Sequence, residues 1–168
     1  MDNCTVCNIL RLVGECRYPL TAARTTASVI VLAWPTEAIG TALVLARRHA
    51  TTMDDALMRR CLERDTDLVK EAILAAFEPL DIVVDRAVGR LHGHTHLVPV
   101  YRNKKNGAGE KPACCSEAAP SDKLVDKQRL YDALAVFRVS LAKTARLWGR
   151  DDLHVDLLQE STFPLPAP

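Results

Sequence analysis

His92-Gly93-His94-Thr95-His96-Leu97-Val98-Pro99 sets three of the chain's five histidines at every second position and ends in a proline. In a β-strand, residues two apart point to one face, so this spacing predicts a strand over 91–101 with all three imidazoles on a single surface. Imidazole is the side chain whose unperturbed pKa lies nearest neutrality, so one row of them supplies nucleophile, proton donor and metal ligand together. Apolar blocks on either side, Ile82-Val83-Val84 and Leu97-Val98, place the row in a sheet. The alternation reads as a catalytic or metal-binding face.

Upstream, residues 28–33 (Ser-Val-Ile-Val-Leu-Ala) read as a buried strand that Trp34-Pro35-Thr36 breaks, and Gly40 to Ala46 reads as the next strand of a hairpin-like pair. Thr52 with Asp55 three residues on resembles a capping box, with Asp in place of the usual Glu or Gln, and predicts a helix start. Leu57, Met58, Cys61, Leu62, Leu68, Val69, Ala72, Ile73, Ala76 and Phe77 then recur at helical spacing as a core-facing stripe, which Pro79 ends. Asp81 to Val84 form a strand, Gly89 marks a turn, and pairing with the histidine strand is the simplest arrangement. Residues 103–122, rich in Gly, Pro and charge, read as a mobile loop. Residues 123–147 read as a second helix with Leu130, Leu134, Phe137, Leu141 and Ala145 on one stripe. Residues 151–168 are a tail whose Pro164, Pro166 and Pro168 exclude regular helix and inner strand. The expectation is one α+β domain over 1–150, with a mainly antiparallel sheet, one long helix between strands and a second, C-terminal helix.

A chain of 168 residues can bury a real core, and a net charge of +1 gives no sign of a nucleic-acid polymer as partner. No apolar run approaches the ~20 residues of a spanning helix, and Asp2 and Asn3 before Cys4 are unlike a signal peptide. A cytoplasmic protein without a membrane partner is expected. The six cysteines read as reduced thiols, since a charged chain of this size needs no disulfide stapling. Cys4 and Cys7 have a spacing that suits tetrahedral zinc if two more ligands arrive from elsewhere. A redox role would want that pair at the start of a helix within a βαβ unit, which the sequence does not display. Cys16 and Cys61 are expected in the core or its margin, Cys61 on a helix face. Cys114-Cys115 fall in the polar loop and receive no role.

With these elements in order, the chain resembles the histidine triad family, whose signature alternates histidine with mostly apolar residues before a proline. His92, His94, His96, Leu97, Val98 and Pro99 match it in register. Cys4-Thr5-Val6-Cys7-Asn8-Ile9 resembles the zinc-binding opening of bacterial members, Gly40 to His49 resembles the strand leading to a basic-x-His element, and Phe77-Glu78-Pro79 falls where the main helix ends. The resemblance implies a structural zinc ion on Cys4, Cys7, His49 and His92, a closed set of four soft or borderline ligands. It also implies hydrolysis or transfer at the α-phosphorus of a nucleotide or phosphoramidate. His94 would be the nucleophile of a phosphohistidine intermediate, His96 would contact phosphate oxygens, and backbone N–H groups around Val98 would hold developing charge. Family members usually dimerise, so a homodimer is expected.

Several substrate positions depart from the family pattern. The residue that usually meets ribose hydroxyls falls near Ala33, the amide that usually meets phosphate falls at about Val88, and the frequent arginine after the proline is Val100. Losing a polar contact of this kind typically costs roughly 1–3 kcal/mol. Either Arg90, Arg102, Lys104 and Lys105 take over phosphate binding, or the scaffold serves a specialised substrate. Three classes of function follow: a phosphohistidine enzyme, a non-catalytic zinc-stabilised binding protein on the same scaffold, and a zinc-dependent enzyme acting on a non-nucleotide substrate.

Overall fold

The computed structural model describes residues 4–33, 38–48, 56–88, 93–102 and 127–155. Along the chain they form α1 (Thr5–Gly14), β1 (Thr21–Arg24), β2 (Ser28–Leu32), β3 (Ala42–Ala46), α2 (Ala56–Phe77), β4 (Asp81–Val88), β5 (Gly93–Val100), α3 (Lys127–Leu147) and β6 (His154–Val155). Among the described residues these strands make a six-stranded sheet in the order β4-β5-β3-β2-β1-β6, every neighbouring pair antiparallel. This is the expected α+β architecture, with the long helix between β3 and β4 and another after β5.

Residues directly opposed across antiparallel strands share a face, so the register sorts every side chain. Ile30, Leu32, Ala42, Val44, Ala46, Ile82 and Leu97 fall on one face and pack against Leu68, Val69, Ala72 and Ile73 of α2 and Leu134, Phe137 and Leu141 of α3. Each of these large side chains gains about 1.5–3 kcal/mol from leaving water, which makes this layer the dominant stabilising block. The stripe predicted for α3, including Leu130 and Ala145, is buried throughout. On α2 the stripe is buried or half-buried from Met58 onward, whereas Leu57, expected in the core, is 70% exposed.

Among the described residues, the opposite face is covered only in part. There α1, which the sequence reading did not anticipate, lays Val6 and Val13 with Ile9 and Leu10 over Val29, Val31 and Leu45. Cys4 caps α1, its Sγ accepting from the Cys7 backbone N–H at 3.5 Å. The helix ends in a turn at which Cys16 takes a left-handed φ of 55°. That turn carries Cys16 into solvent, so it belongs to neither core nor margin, contrary to expectation.

Other boundaries differ from the sequence reading for reasons of pairing. β4 continues past Val84 to Val88 because it follows β5 residue for residue, from Asp81↔Val100 to Val88↔Gly93. β3 begins at Ala42 and leaves Gly40 in the preceding turn with φ 88°. A Cβ on Gly40 would lie 2.5 Å from Phe77 Cδ2, so the turn and the end of α2 approach as closely as they do only around a glycine. β1 and β6 were not foreseen; β6 takes two residues of the expected tail onto the sheet through Ala23↔Val155 and Arg24↔His154. The proposed cap at Thr52, the turn at Gly89, the loop 103–122 with Cys114 and Cys115, the start of the second helix at 123–126 and the tail beyond 155 lie outside the described residues.

A buried polar knot ties the C-terminal segment to the core. Asp65 of α2, 1% exposed, accepts from Thr25 Oγ1 at 2.8 Å, Ser28 Oγ at 2.7 Å and Arg150 Nη2 at 2.6 Å. Arg150 also donates to Asp152 from Nε at 2.7 Å and Nη2 at 3.0 Å. The hydrogen bond to Asp152, with that to Asp65 behind it, outweighs burial and holds the guanidinium pKa above its ordinary value.

Candidate functional site

β5 displays the period-two pattern that the histidines imposed. From Gly93 to Val100 the odd-numbered residues are buried against the helices, while His94, His96 and Val98 are half-buried on the other face. His94 stands opposite Leu45 and His96 opposite Leu43 on β3. Leu45 is in the cluster under α1 and Leu43 packs against it. Among the described residues, the two imidazoles therefore sit where the cover of α1 gives way to the exposed side chains of β4 and β5. Their ring centroids are 5.0 Å apart and their planes inclined by 53°.

On the β4 side, His96 is directly opposed by Asp85, an exposed carboxylate on the same face. Burial pushes the His96 pKa below the ordinary histidine value, the charge of His94 pushes it further down, and Asp85 acts in the opposite direction. His96 thus favours its neutral form, in which one ring nitrogen donates and the other accepts. A phosphoryl oxygen placed against it receives a hydrogen bond. With the His94 ring beside it, its centroid 5.0 Å away, the pair is chemically suited to nucleophilic substitution at phosphorus.

Cys4 and Cys7 lie together at the opening of α1, Cys4 buried and Cys7 half-buried beside the same apolar cluster that holds Leu45. The sequence reading had not placed this pair at a helix start; it is there, although α1 precedes the described strands and so lies outside any βαβ unit of the kind a thioredoxin-like role would use. The donor chemistry, two thiols spaced three apart with one accepting an N–H, suits a soft metal ion. His49 and His92, the other proposed ligands, lie outside the described residues, as does Arg90. Among the described residues no group of three or more His, Cys, Asp or Glu side chains is placed to hold a metal.

Of the remaining expected site residues, Val98 shares the face of His94 and His96, and Arg102 is exposed just beyond the end of β5. The structure thus brings together His94, His96 and Val98 and leaves Arg102 at the strand's end. Asp85 went unremarked in the sequence, where attention fell on Val88; counting back from the histidines along a β4 as long as β5 would have found it. No described helix is long and apolar enough to cross a membrane.

No protein-family model matches the chain, and no curated protein matches its sequence. Solved structures do resemble it. A hypothetical histidine triad nucleotide-binding protein from Sulfolobus tokodaii superposes with a TM-score of 0.66 at 18% identity, covering 87% of this chain and 99% of that one. A zinc-bound histidine triad family protein from Mycobacterium smegmatis gives 0.59 at 14% identity, over 86% and 97% of the two chains. A HIT-like protein involved in cell-cycle regulation from Bartonella henselae, solved with an unknown ligand, gives 0.58 at 13% identity, over 83% and 98%. The chain has the fold of these proteins over nearly their whole length.

Proposed function

We propose that this chain is a member of the histidine triad family and a hydrolase or transferase acting at the α-phosphorus of a nucleotide or phosphoramidate. The observation that carries the reading is the pair His94 and His96, side by side on the open face of β5 within this fold and in register with the family signature. His94 attacks phosphorus in line with the leaving group, forming a nitrogen–phosphorus bond as the bond to the leaving group breaks. Water then attacks the phosphohistidine, or an acceptor does in a transfer, and His94 is restored. His96 donates to a phosphoryl oxygen, and the backbone around Val98 supplies further N–H groups. Arg90 and Arg102 are assigned to substrate phosphate or leaving group.

A structural zinc ion on Cys4, Cys7, His49 and His92 belongs to the same proposal. It would pin α1 to the sheet and fix His92 beside the reactive position, and the cap geometry of Cys4 and Cys7 supports it. The functional unit is a homodimer built on one domain over 1–150. A specialised substrate is favoured over a common nucleotide by Val88 and Val100, which stand where polar side chains usually do.

The test is product formation from adenosine and guanosine phosphoramidates and dinucleoside polyphosphates by the wild type and by His94→Ala. Release of nucleoside monophosphate that disappears in the variant is expected. No turnover by a folded, zinc-loaded wild type overturns the reading and leaves the scaffold as a binding protein. Metal analysis should return one zinc per chain, lost in Cys4→Ser/Cys7→Ser, and light scattering should give twice the 18.5 kDa chain mass.

A further inference from the structure

We propose that the outer face of α3 is a self-association surface that receives the same face of a second copy of this chain, the two helices antiparallel and centred on Val139. That surface is the homodimer face of the preceding proposal, on which it rests for the dimer and not for the reaction.

Leu134, Phe137, Leu141 and Ala145 of α3 turn inward to the core between sheet and helices. On its other side α3 leaves Val136 49% and Val139 56% exposed, neighbours one turn apart, with Ala135 exposed and Ala142 half-buried beside them. A helix face meant only for water carries polar side chains, and valine forms helix less readily than the lysine, arginine or glutamate usual there. Apolar side chains that stand together in this way mark a contact surface, which singly scattered ones do not.

The charges on the same face say what covers it. Seven residues make two helical turns less about 20°, so Asp132, Val139 and Arg146 fall in one row, all three exposed. Val139 stands at the centre, with a carboxylate two turns toward the N-terminus and a guanidinium two turns toward the C-terminus. A two-fold axis between antiparallel helices sets each residue after Val139 level with the residue equally far before it in the other copy. Val139 then meets the partner's Val139, Val136 comes level with the partner's Ala142, and Asp132 faces the partner's Arg146, the last two contacts each made twice. Parallel helices would set Asp132 against Asp132 and Arg146 against Arg146, so the row selects the antiparallel pair. Asp132 already accepts from Gln128 Nε2 at 2.9 Å, one turn back on α3, which holds the carboxylate on this face; a carboxylate has room for further donors. The row from Asp132 to Arg146 is roughly 21 Å long, and a contact of one helix from each copy lies at the small end of specific interfaces, so the pair should separate on dilution.

The deciding variant is Val139→Glu, which sets two carboxylates face to face on the axis of the pair and leaves the buried stripe of α3 untouched. Its circular dichroism should match that of the wild type, since glutamate suits an exposed helix position at least as well as valine. Sedimentation equilibrium of the full chain, from ~1 to ~500 μM, should show a wild-type dimer that dissociates on dilution and a Val139→Glu of half that mass throughout. Asp132→Arg turns two exposed ion pairs per dimer into repulsions and should raise the dissociation constant about tenfold. The charge exchange Asp132→Arg/Arg146→Asp should bring it back to within about threefold of the wild type, a rescue that a general loss of structure would not give. A Val139→Glu of unchanged mass, or a charge exchange no tighter than Asp132→Arg, overturns the inference and leaves the homodimer standing on some other face. A wild type that is monomeric over the whole range overturns the homodimer and this face together.

Discussion

Replacing Asp65 by alanine removes the acceptor at the centre of the buried knot and leaves a guanidinium behind. Arg150 and Asp65 have side chains only 4% and 1% exposed, so neither charge has water to fall back on. Removing one partner of such a pair typically costs about 3–5 kcal/mol, because the other is left buried and uncompensated. Two features place Asp65→Ala at the lower end of that range. Arg150 keeps Asp152 at 2.7 Å, whose side chain is 34% exposed. Thr25 and Ser28, whose hydroxyls are already 3.2 Å apart, can satisfy one another. A loss of about 3 kcal/mol, at the 2–4 °C per kcal/mol usual for chains of this length, lowers Tm by roughly 6–12 °C. Thermal unfolding by circular dichroism, with urea unfolding to confirm that the m value is unchanged, measures it. The paired variant Asp65→Leu/Arg150→Met should recover most of the loss, since it removes both charges. A drop below about 2 °C in the single variant, or a double variant no better than the single, refutes the reasoning that the pair is buried and coupled.

Gly40→Ala forces a left-handed φ of 88° on a residue with a Cβ and drives that Cβ to within 2.5 Å of Phe77, so it should destabilise by about 1–3 kcal/mol; a neutral result in urea unfolding would show that the turn at the end of α2 can open. Phe137→Ala empties the centre of the helix layer, where Phe137 is fully buried, and should cost about 3–5 kcal/mol. His96 should titrate below the ordinary histidine range by NMR of its ring protons, because burial disfavours its charged form. The stability it contributes is then complete above that range and is lost as pH falls through it toward the depressed folded value. A His96 midpoint at or above that of a free histidine would contradict the half-buried placement. Asp152 has the opposite chemistry and the same sign. Its hydrogen bond from Arg150 lowers its pKa, so its contribution is present above the ordinary carboxylate value and fades as pH falls through the depressed one; Asp152→Asn should flatten the acid limb of the stability profile.

Local periodicity alone made part of this architecture legible. The alternation of His94, Thr95, His96, Leu97 and Val98 assigned these residues to opposite faces of a strand, because a strand has no other way to place them. The stripes from Leu62 to Phe77 and from Leu130 to Ala145 likewise fixed two helices and the sides they bury, and Pro79 fixed where the first of them stops. The tertiary structure decided what depends on partners distant in the chain. Nothing near Cys4 announces a helix that is stable only because Val6, Val13 and Leu10 find Val29, Val31 and Leu45 beneath them. The four residues of β1 form a strand because β2 and β6 flank them. Asp65 is buried on α2 beside Thr66 and Leu68, and only the closed fold brings Arg150 from 85 residues away to pair with it. Asp85 becomes part of the histidine face only once the β4–β5 register sets it against His96. Periodicity is written in neighbouring residues; register, cover and the pairing of buried charge are settled only when the chain closes on itself.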